Sequence, residues 1–445
     1  MKYKAFLLFI VLGLFSCNIS IGQDRDSTKE YRQYIPIDKG WAKNSINTVI
    51  FREKSVFSRN GSQYVAYYDS VGQIIVAKRT LGTENWEIYP TRFHADVKDA
   101  HNSISLTVDG RGIIHLAWGM HGDELKYAKS KSTDSLSFSS VTSMTGKHED
   151  AVTYPRFYNL WNGDLLFLYR YGESGSGDIM LNRYDTDSRM WNIVQHPLIS
   201  GEGERNAYMN SLAIDDKGGW HISWTWRESW DVATNHDIMY AYSPNEGGEW
   251  LDSKRNTYEL PIDSSNAEVV HNIPQGSELI NQTSMTINSD GEPVIATYWK
   301  PKDQEVPQFY IVWNDNGEWK MEQVGKRTLD FSLNGGGTKR IPISRPQIIA
   351  GSQKDLYLIF RDFERGGGIS IAVSKDPEYK QWEIENIYQK SIGLWEPNYD
   401  SQVWKTQKEL HLFGQFVGQG DAEEVEEVKP QSIFIYKWIP FLYRD

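Results

Sequence analysis

The chain of 445 residues carries a formal net charge of −12 at pH 7, with 13% aromatic and 24% charged residues. This acidic balance argues against wrapping of nucleic acid, because neutralising phosphates needs a basic face, although a polyanionic sugar needs only a local basic cleft. The aromatic content and the 36 glycines exclude a disordered chain and favour a packed, turn-rich protein.

Residues 1–17 have the layout of a secretion signal. Two lysines precede an apolar run from Ala5 to Phe15, which is too short for a structural transmembrane helix. The ending Leu-Phe-Ser-Cys17 resembles the lipobox of bacterial lipoproteins, so we predict lipidation at Cys17 and a tether over residues 18–39. We expect an exported protein, either an outer-membrane lipoprotein or periplasmic. An ordinary signal cleaved near Gly22 is the alternative. Cys17 is the single cysteine, which excludes a disulfide within the chain.

Strand-like runs separated by Asp, Asn and Gly turns recur along residues 40–445, and long amphipathic helical patterns are nearly absent. Each repeated unit of about sixty residues closes on an aromatic side chain, and we count Trp86, Phe138, Trp191, Trp250, Trp319, Trp382 and Trp438. Such spacing is typical of four-stranded blades, so we predict an all-β, seven-bladed β-propeller that forms one catalytic domain. A pair of β-sandwiches is the alternative, but no Pro-, Ser- or Gly-rich linker divides the chain.

Four of the ten histidines lie between His94 and His121. His101 and His121 stand at the margins of predicted strands, where they are candidates for catalysis. His115 lies inside an apolar strand and is better explained as a core imidazole with satisfied hydrogen bonds. His94 is assigned to the surface.

The next blade supplies a tyrosine and an arginine. Tyr154 precedes Pro155, which favours an extended backbone at Tyr154. Arg170 ends the apolar strand that begins at Leu165, where a buried guanidinium needs a partner. That partner is either a ligand carboxylate or, in the plainer interpretation, a neighbouring Asp or Glu.

Further polar residues fall near the predicted mouth of the propeller. We assign substrate binding to Asn102, Tyr208, Arg227 and His236. His221, His236 and His271 are weak candidates for a structural metal ion, and no cofactor is required. The acidic run "GDAEEVEEVKPQ" in the last blade is interpreted as a solvated hairpin loop.

The segments "DAHNS", "GMHG", "TYPRF", "GDLLFLYRYGESGSGD", "HISWTWRE" and "RDFERGGGISIA" resemble the BNR-repeat family of secreted propellers that contains ulvan lyases. The resemblance extends from about Gly40 to Trp438. It implies that His101, His121, Tyr154 and Arg170 form a catalytic centre. The segment between His121 and Tyr154 looks short for such a lyase, which indicates a remodelled groove.

The implied reaction is a β-elimination at a uronate of ulvan, a sulfated rhamnose–uronate polymer. Removal of the C5 proton places charge next to a carboxylate, which Arg170 would neutralise while Tyr154 or His121 moves protons. The same chemistry on a terminal uronate would make the protein an oligosaccharide dehydratase. The sequence is also compatible with a rhamnosidase-like hydrolase and with a noncatalytic glycan-binding propeller. We expect a monomer whose membrane contact is limited to its lipid anchor.

Overall fold

In the computed structural model, residues 31–444 are described, and they are nearly all β. The single α-helix in this range, α1 (Ser401–Gln407), has seven residues. Short 3₁₀ turns occur at Ile50–Arg52, Val232–Thr234, Phe363–Arg365 and Phe441–Tyr443. None of the helices in the described part of the chain is long and apolar enough to cross a membrane. The predicted signal peptide and Cys17 lie outside the described residues.

The strands form six sheets, and most follow one another in chain order as antiparallel meanders. The first strand, β1 (Arg32–Gly40), joins the last sheet. A four-stranded sheet follows, with β2 (Val56–Arg59), β3 (Ser62–Tyr68), β4 (Gln73–Thr80) and β5 (Glu87–His94). A three-stranded sheet contains β6 (Ile104–Val108), β7 (Ile114–Trp118) and β9 (Tyr127–Lys129).

The third sheet has nine strands and contains two successive four-stranded meanders. The first consists of β10 (Val152–Asn159), β11 (Leu165–Glu173), β12 (Ser176–Asp185) and β13 (Met190–Ile199), with the short β8 (His121–Asp123) added at its edge. The second consists of β14 (Asn206–Ile214), β15 (Trp220–Arg227), β16 (Asn235–Ser243) and β17 (Glu268–His271). One parallel pair, Gly177 with Asn206, joins the two meanders.

Two more four-stranded sheets and a three-stranded one complete the fold. They contain β18 (Ser284–Ile287), β19 (Pro293–Trp299), β20 (Gln308–Asp315) and β21 (Glu318–Val324), then β22 (Gln347–Ala350), β23 (Leu356–Phe360), β24 (Ile369–Ser374) and β25 (Glu383–Tyr388). The last sheet has the order β1, β27 (Gln431–Trp438), β26 (Leu410–Gln415). Residues 32–39, predicted as part of the tether, therefore belong to a sheet.

The meanders contact one another through their first strands. β2 contacts β6, β6 contacts β10, β14 contacts β18, and β18 contacts β22. Arg156 of β10 reaches β14, where its Nη1 donates to the carbonyl of Met209 over 3.0 Å. Because each sheet buries apolar residues on both faces, neighbouring sheets must cover each other, which produces a propeller-like arrangement.

His115, predicted as a core imidazole, and His221, predicted as a metal candidate, share one local motif. In each, an Asp that follows the first strand of a meander accepts hydrogen bonds from the amides of a tight turn, and a His six residues later lies between that Asp and a tyrosine hydroxyl. His115 bonds Asp109 and Tyr127, and His221 bonds Asp215 and Tyr240. The prediction that His115 is a satisfied core imidazole is confirmed by these contacts.

Asp400 connects the last part of the chain to the first complete sheet. Its side chain is fully buried, accepts hydrogen bonds from Ser58 and from Gln63 (2.8 Å), and caps the N-terminus of α1. A buried carboxylate with several donors is costly to remove, because the donors lose their acceptor and cannot reach water.

We therefore expect Asp400→Ala to lower the free energy of unfolding by about 2–4 kcal/mol, since it leaves buried donors unpaired. Urea denaturation followed by circular dichroism measures this change. Asp187→Ala is the matched control, because the Asp187 side chain is 89% exposed. Equal stability of the two variants would contradict a connecting role for Asp400.

Candidate active site

Two stacked imidazoles share one carboxylate. The loop before β6 carries His101, whose ring stacks on that of His121 in β8 with centroids 4.2 Å apart. The two oxygens of Asp99 lie 2.7 Å from Nδ1 of His101 and 2.7 Å from Nδ1 of His121. Neither Nε2 atom bonds to any residue of the range 31–444, so both face outward from the Asp99 bridge. Both histidines were predicted as site residues from the sequence, whereas Asp99 was not.

A second carboxylate reaches His101 from the far end of the chain. Glu423 Oε1 lies 3.1 Å from Nδ1 of His101, and Glu423 also accepts the amides of Ala100 and Thr338. Glu423 belongs to the acidic run that we interpreted as a solvated loop, and for this residue the interpretation is wrong. The run folds back onto the loop 99–101, a contact that an acidic composition does not reveal.

These carboxylates give the two imidazoles different charges. Burial opposes charging of His101, but Tyr154, Asp99 and Glu423 outweigh it and hold the pKa of His101 well above 6.5. Burial lowers the pKa of His121, and the nearby His101 and Arg170 act in the same direction against Asp99. Burial alone would raise the pKa of Asp99, but the hydrogen bonds from both histidines hold it far below its usual value. At neutral pH, a charged imidazole therefore stacks on a neutral one.

Tyr154 is displayed by a β-bulge in β10. Its φ is +55°, and the pairing of β10 with β11 shifts register between Thr153 and Arg156. The prediction of extended backbone at Tyr154 is wrong, because the bulge overrides the preference imposed by Pro155. The ring packs edge-on against Phe51 at 5.1 Å and lies 5.8 Å from His101. Its hydroxyl bonds to nothing within the described part of the chain.

Arg170 is 3% exposed and lies beside Tyr154, with its guanidinium carbon 5.2 Å from the phenol centroid. Its Nη2 donates to Thr153 Oγ1 over 3.0 Å, and its Nη1 donates to the Tyr208 hydroxyl over 3.4 Å. Its Nε is buried without a partner in the described residues. Among residues 31–444, no carboxylate lies within 4.0 Å of Arg170, so the alternative of an internal salt bridge is wrong.

Tyr208 joins the cluster from β14, as its assignment to the mouth predicted. Burial raises its pKa, but the positive charges of Arg170 and Arg227 outweigh burial and lower that pKa below 10.0. Arg227 lies 5.2 Å from the Tyr208 ring centroid, and Ser174 Oγ is 3.2 Å from the Tyr208 hydroxyl. The site thus holds a second phenol with increased acidity, at a residue predicted only to bind substrate.

Two other predicted binding residues have different surroundings. Asn102 donates from its side chain to the carbonyl of Asp96 over 2.9 Å, while its Oδ1 is buried without a partner among residues 31–444. His236 is held by Glu228 at 2.8 Å and Asp237 at 3.0 Å, and it bonds to none of the site residues described above. Its pKa is raised, because these two carboxylates outweigh burial.

The predicted metal candidates do not come together. His221 is occupied by Asp215 and Tyr240, His236 by two carboxylates, and His271 packs on Trp299 with ring centroids 5.2 Å apart. Within the described part of the chain, the one group of three residues with metal-ligand spacing is Asp99, His101 and His121, whose donor atoms lie within 4.8 Å of one another. In this arrangement, Asp99 already bonds both Nδ1 atoms.

The family model described as "BNR repeat-containing family member" matches residues 62–327, a span that contains all of the site residues except Phe51, Thr338 and Glu423. The chain belongs to this BNR-repeat family. It is similar to the ulvan lyase of Nonlabens ulvanivorans, to which it is 23% identical over 338 residues, covering 67% of this chain and 70% of that enzyme. The ulvan lyase long isoform of Alteromonas sp. (strain LOR) is 24% identical over 300 residues, covering 55% of this chain but 28% of that relative.

Solved structures of ulvan lyases share the fold. One, from a new polysaccharide lyase family, PL25, superposes with a TM-score of 0.68 at 15% identity, covering 90% of this chain and 97% of the other. A second, bound to -[GlcA(1-4)Rha3S]-, superposes with a TM-score of 0.67 at 15% identity and the same coverage. The nearly all-β, propeller-like architecture of this BNR-repeat chain is therefore that of the ulvan lyases.

Glu423→Gln is expected to lower the pKa of His101, because it removes one of the negative charges that stabilise the imidazolium. NMR titration of the histidine ring protons measures this change, and His101→Gln identifies the resonance. Because the folded-state pKa is raised, the stability from this charge is present below pH 6.5 and is lost as pH rises through the raised pKa. The loss of stability in Glu423→Gln should therefore be largest below pH 6.5. The exposed neighbour Glu424→Gln is the control, and an identical His101 titration in both variants would refute the assignment.

Proposed function

We propose that the protein is a carbon–oxygen lyase that cleaves ulvan by β-elimination at uronate residues. The observation that carries the proposal is Arg170, a buried guanidinium without an anionic partner in residues 31–444, placed beside a phenol and near two imidazoles. A substrate carboxylate is the partner that such a group requires. The ulvan lyases with the same fold support this choice of substrate.

The carboxylate of the uronate would dock on Arg170, with the charged His101 close by. Negative charge that develops at C5 during proton removal then spreads onto a carboxylate that is already neutralised. Positive charge placed in advance at this position lowers the barrier, since a water-excluded site strengthens the interaction. The site meets this need for positive charge beside the substrate carboxylate, because Arg170 and His101 are positive and His121 is neutral.

Tyr154 is the proposed proton carrier. The C5–H bond breaks as the deprotonated oxygen of Tyr154 takes the proton, and Tyr154 then donates that proton to the leaving oxygen as the C4–O bond breaks. The electron pair of the C5–H bond forms the C4=C5 double bond of an unsaturated uronate. The hydroxyl of Tyr154, which has no bond to the described residues, supports this role. The neutral imidazole of His121 and the acidified phenol of Tyr208 stand within the same cluster as alternative partners for one half of the transfer.

The chain organisation that we propose is a single seven-bladed propeller that begins with β1 (Arg32–Gly40) and includes the rest of the chain. The two meanders of the nine-stranded sheet would then be separate blades, and β1 would supply an outer strand to the last one. We also propose that the protein is exported, with lipid attached at Cys17, and acts as a monomer on an anionic glycan.

Incubation with ulvan is expected to raise the ultraviolet absorbance of the conjugated double bond, and mass spectrometry should show fragments of chain scission. Loss of water from a terminal uronate without scission would make the protein the dehydratase instead. New reducing ends without absorbance would indicate hydrolysis, and binding without products would indicate a lectin-like propeller. Both of these outcomes would refute elimination.

In the same assay, Tyr154→Phe should lower kcat by at least about 10²-fold while substrate affinity is retained, because it removes the hydroxyl that moves the proton. Tyr34→Phe serves as the control, since this tyrosine is 43% exposed on β1, outside the cluster. Normal turnover by Tyr154→Phe would exclude Tyr154 as the proton carrier.

The proposed reaction needs no metal ion, because Arg170 and His101 supply the positive charge. Dialysis against EDTA is therefore expected to leave the initial rate unchanged. A large loss of rate that added Zn²⁺ or Ca²⁺ restores would instead assign a metal-binding role to Asp99, His101 and His121.

A further inference from the structure

A large cavity lies at the opposite ends of the strands that display the candidate active site. Its volume is about 1270 Å³, and it is lined by the last residues of β2, β10, β14, β18 and β22 and by α1. Along β10, Thr153 lies in the active site and Asn159 lines the cavity. Six residues of strand span about 20 Å, so the two sites are distinct.

Positive side chains without carboxylate partners surround this cavity. Six of its lining residues have no carboxylate within 4.0 Å in the range 31–444: Lys54, Arg59, Lys217, Arg255, Lys405 and Lys408. These residues come from several different parts of the fold, α1 included. Because the chain has a net charge of −12, this group of six cations is a local exception. Its positive potential raises the local concentration of anions at the cavity entrance.

Most of the carboxylates in the cavity are already engaged. Glu53 accepts hydrogen bonds from Tyr158 and Ser211, Asp215 holds a turn and His221, and Asp290 pairs with Lys354. Glu53 also pairs with Arg156 at 3.5 Å, but the partners of Asp215 do not neutralise it, because burial lowers the pKa of His221. Asp215, Asp216 and Glu292 are therefore left to offset the six cations. The surplus of positive charge is therefore available to an anionic ligand.

Trp161 adds an aromatic surface at the same mouth. It lies in the turn between β10 and β11, is 55% exposed, and is held by a hydrogen bond from its Nε1 to the carbonyl of Asp215. The Lys405 ammonium lies 2.8 Å from the ring centroid. A fixed, exposed indole beside ammonium groups presents one apolar face and several anion-binding groups to the same ligand.

We propose that this cavity is a noncatalytic binding site for an anionic oligosaccharide, with a sugar ring packed on Trp161 and its sulfate or carboxylate groups on the surrounding lysines and arginines. The site would hold a glycan chain while the active site, on the other side of the same sheets, acts on another segment. The binding step does not depend on the proposed lyase activity.

Titration calorimetry on full-length Tyr154→Phe with a sulfated rhamnose–glucuronate tetrasaccharide tests this proposal. Two binding sites per chain are expected, and adding Trp161→Ala with Lys405→Gln should weaken one of them at least tenfold. Lys405→Gln with Lys408→Gln, which keeps the indole, should weaken the same site and make it less sensitive to salt. Phe441→Ala, which removes an aromatic side chain that is 74% exposed, is the control.

Different forms of the tetrasaccharide distinguish the groups that are recognised. Loss of this binding with the desulfated form would assign recognition to sulfate, and its persistence would assign recognition to the carboxylate. Equal binding of a neutral form, obtained by desulfation and carboxyl reduction, would overturn the proposal. Unchanged affinity at every binding site in the Trp161 and Lys405 double variant would also overturn it, whether or not the wild-type protein degrades ulvan.

Discussion

The carboxylate of Asp99, shared between two stacked imidazoles, sets the electrostatics of the site. Two histidine rings 4.2 Å apart cannot both be charged without strong repulsion, and one carboxylate cannot neutralise two cations. Glu423 resolves this conflict because it contacts His101 and not His121. The pair is thereby divided into a cation and a neutral imidazole, while both Nδ1 atoms remain fixed and neither Nε2 atom bonds to residues 31–444. Two chemically identical side chains acquire different charges from their surroundings.

The architecture could be predicted from the sequence because it depends on local patterns. Alternating apolar residues, Asp–Gly turns and a repeat of about sixty residues are properties of each meander by itself, and the structure places strands where those patterns occur. The boundary of the N-terminal segment is different. Residues 32–39 form a strand only because β27 provides its partner, and the two strands are separated by almost the whole chain. Pairing between strands so far apart in the sequence leaves no signal in the local pattern of residues.

The site was predictable to a similar extent. His101, His121, Tyr154, Arg170 and Tyr208 come together, since each lies within or just before a strand, near the same ends of neighbouring sheets. Asp99 and Glu423 were missed because acidic residues in loops have the same appearance in a sequence whether they are solvated or hold an imidazole. For Arg170, residue composition favoured an internal salt bridge. The structure instead surrounds its guanidinium with the ring of Tyr154, the hydroxyl of Thr153 and the hydroxyl of Tyr208.

Tyr154 shows how far the fold departs from local preference at this point. A tyrosine at φ +55°, directly before a proline, is in a conformation that costs on the order of 1–3 kcal/mol. Glycine would remove that strain, but it would also remove the phenol. The bulge that imposes the strain turns the ring toward Phe51 and His101, away from the regular alternation of β10. The surrounding contacts of Arg156 and Thr153, which are both buried, hold the bulge in place. Tyr154 is buried, its backbone is strained, and its side chain has no hydrogen bond to residues 31–444. A contact between its phenol and a ligand best explains why this strain is retained.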